Sequence, residues 1–97
     1  MVQFEKGIKV QARWKEYLTK KANSHLCRYS SLAGPIKAKV DTLENWYGQP
    51  ALCCTLSASV EGSTILVSET ARNPLRAIDR AVGRMSRRLK LLTLTTH

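Results

Sequence analysis

The stretch Asn73-Pro74-Leu75-Arg76-Ala77-Ile78-Asp79-Arg80-Ala81-Val82-Gly83-Arg84-Met85-Ser86-Arg87-Arg88-Leu89-Lys90-Leu91-Leu92 specifies a helix with two different faces. Leu75, Ile78, Val82, Met85, Leu89 and Leu92 recur at alternating intervals of three and four residues, the period of a helical stripe that must pack on a sheet or another helix. Asn73 suits the N-cap and Pro74 the first helical position, where its missing N–H is not needed. Gly83 falls on the polar side and costs about 1 kcal/mol relative to Ala.

Arg76, Arg80, Arg84 and Arg88 follow one another every four residues. At about 100° per residue they drift only about 40° per step and form a slowly winding ridge, with Arg72, Arg87 and Lys90 on the same side, roughly opposite the stripe. Like charges at this spacing cost roughly 0.2–0.5 kcal/mol per pair. Arg76 also opposes the helix dipole in the first turn. Asp79 is placed to pair with Arg76, and nothing comparable offsets Arg80, Arg84 or Arg88, so neutralising Arg84 and Arg88 is expected to hold or slightly raise stability. A face built for solubility mixes signs; a single-sign ridge fits a polyanion. Arginine suits forked contacts to phosphate and stacking on bases. No helix-turn-helix pair, no finger spacing and no Asn or Gln on the ridge provides a reader of base edges. The expected partner is a phosphate backbone recognised by shape.

Outward from this helix, Ala51 to Val60 alternates as a strand with Leu52, Cys54, Leu56, Ala58 and Val60 on one face, and Glu61-Gly62-Ser63 turns it into Thr64–Ser68. Ile36 to Asp41 alternates as a strand with one wet face. Asn45 to Pro50 reads as a loop whose Trp46 and Tyr47 could anchor on the sheet or stack on bases. A helix is predicted over about residues 12–29, with Trp14, Leu18, Ala22, His25 and Tyr29 in one arc, Tyr17 and Leu26 at its margins, and Arg13, Lys20, Lys21 and Arg28 on one flank. Ser30 to Pro35 ends it. Val2 to Glu5 forms a short strand, Lys6-Gly7 a turn, and Ile8 and Val10 lead into the helix. The order β-α-β-β-β-α gives an α+β fold, with two helices packed on one face of a four-stranded, mostly antiparallel sheet.

Ninety-seven residues bound the chain to one domain, 1–97, and 43% hydrophobic content is enough for one modest core. The net charge of +9 is unevenly distributed: residues 1–40 hold nine cations and two anions, residues 41–71 four anions and no cation, and residues 72–97 seven cations and one anion. Two cationic blocks around an anionic middle point to a nucleic-acid footprint. No apolar run reaches membrane-spanning length, no signal peptide is visible, and the expected location is cytoplasmic. Cys27, Cys53 and Cys54 read as small buried apolar residues of a reduced compartment; adjacent Cys53 and Cys54 point to opposite strand faces and cannot share a metal. No Ser/His/Asp set, carboxylate pair, glycine-rich phosphate loop or ligand cluster is present. The reading is therefore not an enzyme, with no catalytic residues, no metal, no cofactor and no small-molecule substrate.

The order of elements, with Val60-Glu61-Gly62, the run to Ala77-Ile78-Asp79, and the helix continuing through Arg84-Met85-Ser86-Arg87-Arg88-Leu89-Lys90, resembles the ribosome hibernation-promoting factor and ribosome-associated inhibitor family, also called sigma-54 modulation proteins. Trp14-Lys15-Glu16-Tyr17-Leu18-Thr19-Lys20-Lys21 is similar to the family's first-helix pattern. The likeness covers nearly the whole chain and corresponds to a short form, without the dimerisation domain or Lys-rich tail of longer members. Pro74-Leu75-Arg76 departs from the family's acidic, apolar and Tyr lead-in, Gly83 replaces its usual Asp, and Gln11 stands where a Thr cap is common.

The resemblance implies a protein lying between head and body of the small ribosomal subunit. There it would cover the mRNA channel and the A and P sites of idle ribosomes in stress or stationary phase. Its partners would be the ribosome and small-subunit rRNA, with no membrane, and it would be monomeric when free. The residues expected to meet RNA are Arg13, Lys20, Lys21 and Arg28 on the first helix and Arg76, Arg80, Arg84, Arg87, Arg88 and Lys90 on the last. The rival reading is a double-stranded RNA-binding domain unrelated to hibernation. It shares the α-β-β-β-α core, but the start of the last helix carries one cation in place of that domain's Lys cluster.

Overall fold

The computed structural model describes residues 2–4, 12–30 and 32–95. Its elements in chain order are β1 (Val2–Phe4), α1 (Ala12–Leu26) with a 3-10 turn at Cys27–Tyr29, β2 (Ile36–Trp46), β3 (Gln49–Val60), β4 (Ser63–Ala71) and α2 (Pro74–Thr95). Among the described residues the strands make one sheet in the order β1-β2-β3-β4. β1 lies parallel to β2, a pairing that needs the α1 crossover, and the other two pairs are antiparallel. The α+β architecture expected from the sequence is the one observed.

One face of the sheet is apolar and covered. Ala38, Leu56 and Val67 align across β2, β3 and β4, and all three are buried. α2 lays Ile78, Val82, Met85 and Leu89 on this face, each at most 1% exposed. Full burial of such a side chain is worth about 1.5–3 kcal/mol, so this stripe is the main tie between helix and sheet. Leu18, Ala22 and Leu26 of α1 complete the core.

Several local expectations need correction. β2 does not stop at Asp41 but continues to Trp46, and the expected loop at Asn45–Pro50 is the end of a long β2–β3 hairpin. Its two-residue turn is Tyr47-Gly48, both with positive φ (51° and 83°), the same geometry as Glu61-Gly62 (49° and 81°). Leu43 pairs with Ala51 and Trp46 with Gln49, so Glu44 and Asn45 together face Pro50. Pro50 lacks an N–H, and a bulge opposite it is where a strand tolerates that. β4 runs to Ala71, three residues beyond Ser68.

The α-helical part of the first helix ends at Leu26, and the last turn tightens to 3-10. His25 is exposed rather than in the core, because Leu18, Ala22 and Leu26 step by four residues and wind away from it. Leu75 is 43% exposed, outside the packed stripe, and Cys27 is exposed whereas Cys54 is buried. Glu5 and the expected turn and lead-in at Lys6, Gly7, Ile8 and Val10 lie outside the described residues.

Candidate nucleic-acid interface

α1 and α2 lie side by side and parallel. Tyr17 and Lys21 of α1 meet Asp79 of α2, and further along Ala22 and Leu26 line the same cavity as Leu89. The Tyr17 hydroxyl donates to Asp79 Oδ1 at 2.7 Å, and Lys21 Nζ stands 3.4 Å from the same oxygen. That hydrogen bond, more than desolvation or the Asp79 charge, raises the Tyr17 pKa above its ordinary value. Lys21 also lies over the Tyr17 ring, 6.0 Å from its centroid. Asp79 thus pairs across the helices and not with Arg76 as expected, and Lys21 is an interhelix clasp as well as a cation of the flank.

Arg84 departs from the expected ridge. As the four-residue steps wind, it comes round to the β4 side of α2, where its Nη1 donates to Glu69 Oε2 at 2.9 Å. Glu69 occupies a helix-facing position of β4 between buried Val67 and Ala71. A carboxylate in the apolar half of a strand's alternation signals a cation arriving from the covering layer, and that signal was available in the sequence.

The remaining ridge is open. Arg76, Arg80, Arg87, Arg88 and Lys90 are exposed, as are Arg13, Lys20 and Arg28. None of these has a carboxylate within ion-pair distance among the described residues. Asn73 Oδ1 accepts the Leu75 N–H at 3.0 Å and caps the helix that carries most of them. Among the described residues the only exposed acid on the two helices is Glu16. The two helices therefore bring the expected cations onto one layer, with Arg84 and Lys21 bound to acids at its margins.

The reverse face of the sheet is polar. Lys37 and Lys39 are exposed on β2, with Lys39 Nζ 4.0 Å from Asp41 Oδ2. Thr55 and Ser68 hydroxyls pair at 3.1 Å, and Cys53 Sγ lies 3.3 Å from the Ser68 hydroxyl. Burial pushes the Cys54 thiol up to about 12, so it stays protonated and unreactive at neutral pH. Among the described residues no three His, Cys, Asp or Glu side chains gather as a metal site would require. Among the same residues no helix is long and apolar enough to cross a membrane.

Comparison of the whole fold finds two informative structures. A ribosomal subunit interface protein from Coxiella burnetii superposes with a TM-score of 0.77 at 14% identity, over 97% of this chain and 98% of that one. The N-terminal domain of Thermus thermophilus Protein Y gives 0.65 at 23% identity, over 94% of each chain. The fold is shared. No family model matches the chain, and no curated protein matches it in sequence. At these identities the likeness is one of architecture, and one of the two neighbours is a ribosome-interface protein, the class to which the sequence resemblance also led.

Proposed function

We propose that this chain is a ribosome-associated translation inhibitor that works by occlusion. Its helix layer would lie against small-subunit rRNA in the mRNA and tRNA channel and block the A and P sites of idle ribosomes. The observation that carries the reading is the layer of exposed Arg and Lys without acidic partners among the described residues. The fold shared with a ribosomal subunit interface protein supports it. A-form RNA offers phosphates and shape rather than readable base edges, which matches a surface of guanidinium forks without a base-reading set. The residues that meet RNA would be Arg13, Lys20, Arg28, Arg76, Arg80, Arg87, Arg88 and Lys90, with Lys21 and Arg84 at the margins.

The test is sedimentation with purified small subunits, followed by addition to a cell-free translation reaction. Binding that saturates near one protein per subunit, with inhibition relieved by excess mRNA or initiator tRNA, is the expected result. Meeting about five phosphates gives a slope of roughly −4 in log K against log salt. Inhibition far below stoichiometry or cleaved rRNA would replace occlusion with catalysis. Equal affinity for any free RNA duplex would favour a general double-stranded RNA module.

A further inference from the structure

We propose that the rim running from Trp14 to Tyr47 holds unpaired RNA bases, stacked on its aromatic rings, while the helix layer grips the neighbouring phosphates; the inference rests on the RNA reading above. Two open cavities, of about 400 and 270 Å³, meet at this rim and share Trp14 and Pro74. The first reaches Tyr17 and Leu75 between the starts of α1 and α2; the second runs under the bulged part of the β2–β3 hairpin. Each tryptophan of the rim has a guanidinium over its ring. Arg13 lies over Trp14 at 5.5 Å from the ring centroid, and Arg72 over Trp46 at 6.0 Å. Trp46 and Tyr47 meet edge to face at 5.1 Å.

Tyr47 is 82% exposed and occupies a left-handed turn position that Asn, Asp or Gly would fill with less strain. The turn does not call for a tyrosine, and its contact with Trp46 leaves most of the ring open; a partner that stacks on that open surface accounts for it. Charge selects the class of partner. The two cavities are lined by two guanidiniums, Arg13 and Arg72, against one carboxylate, Glu44. An apolar peptide would have no use for these cations, whereas a nucleotide chain supplies a flat ring for each aromatic and a phosphate for each arginine. In a duplex the base faces are already stacked, so the rim distinguishes unpaired from paired RNA, which the helix layer does not.

The chain has two tryptophans, and both are on this rim, so its intrinsic fluorescence reports on the site directly. The full chain is titrated with an oligouridylate of about 12 nucleotides and, in parallel, with a blunt RNA duplex, comparing wild type, Tyr47→Ala and Trp46→Ala/Tyr47→Ala. The oligouridylate should quench tryptophan fluorescence. The double variant should bind it at least about tenfold more weakly, and Tyr47→Ala alone should lose part of that, while duplex affinity and the salt slope stay at wild-type values. Tyr47→Ala removes an exposed side chain whose ring contact is with Trp46, leaves the buried core untouched, and keeps the test valid if the double variant folds poorly. Binding of both RNAs with indifference to these changes overturns this proposal alone. Binding of neither overturns it together with the RNA reading. Oligonucleotide affinity that survives in the variants while sedimentation on small subunits fails would assign the rim to a ribosomal protein, and overturns it as well.

Discussion

The outer surface of the helix layer and the open face of the sheet both carry exposed cations, and they differ in number and in surroundings: a run of arginines on α2 against Lys37 and Lys39 among hydroxyls on the sheet. On the sheet, Lys39 is near Asp41, and the hydroxyls of Thr55 and Ser68 satisfy each other. On the helices, Arg76, Arg80, Arg87 and Lys90 stand exposed without an acid among the described residues, although each like-charge step costs helix stability. The same contrast recurs within α2, where Arg84 is bound to Glu69 and Arg80, one turn earlier, is not. What separates an unpaired cation from a structurally held one on α2 is therefore the position of the nearest carboxylate, and the count of charges carries little information.

The largest expected effect comes from the exposed ridge. Arg80→Gln with Arg87→Gln should weaken small-subunit binding by about 1.5–3 kcal/mol for each charge-assisted hydrogen bond to phosphate that is removed. Lys37→Gln with Lys39→Gln removes the same formal charge from the open sheet face and should leave affinity close to wild type. Equal weakening by the two pairs, measured by sedimentation at matched salt, would erase the distinction between the faces. Next, Gly83→Ala should raise stability by about 0.5–1 kcal/mol in thermal or denaturant unfolding. A Cβ there would meet Arg87 Nη1 only at an ordinary 3.9 Å. Affinity should not change; a fall would mean that RNA backbone approaches α2 as closely as the missing side chain allows. The smallest effect separates two arginines of one ridge. Arg84→Gln breaks a half-exposed ion pair and should cost about 0.2–1 kcal/mol. Arg88→Gln removes repulsion alone and should leave the melting temperature unchanged or slightly raised.

The architecture was legible because its periodicities are strong. The three-four stripe of α2 and the alternation of β3 each identify an element and the face it buries, and Asn73-Pro74 marks where the last helix starts. The end of the β2–β3 hairpin was not legible: Tyr47-Gly48 is an unusual pair for a positive-φ turn, and the bulge at Pro50 interrupts the alternation by one residue. For the interface, the cations on the ridge were readable, and Glu69 in the apolar half of β4 marked the need for a cation, but which residues pair was not readable. Asp79 has Arg76 within reach along its own helix but is held by Tyr17 and Lys21, 62 and 58 positions earlier. Glu69 is 15 residues from Arg84 in sequence and bonded to it in the fold. Local spacing favours partners on one helix, and only packing of the two helices on the sheet decides between them.

α2 carries both the apolar stripe that closes the core and the cations of the ridge. An unfolded chain has the same net charge but not the spacing, so a polyanion that fits the ridge binds the folded form preferentially. Mass action then makes the partner a stabiliser: at free concentrations of about 100 times Kd it adds roughly 2.7 kcal/mol to the unfolding free energy. Phosphates placed between the arginines also remove the repulsion that the helix otherwise bears. With such a partner the free protein would be its least stable form, and resistance to proteolysis should then follow occupancy, with the bound population protected and surplus chains cleared first.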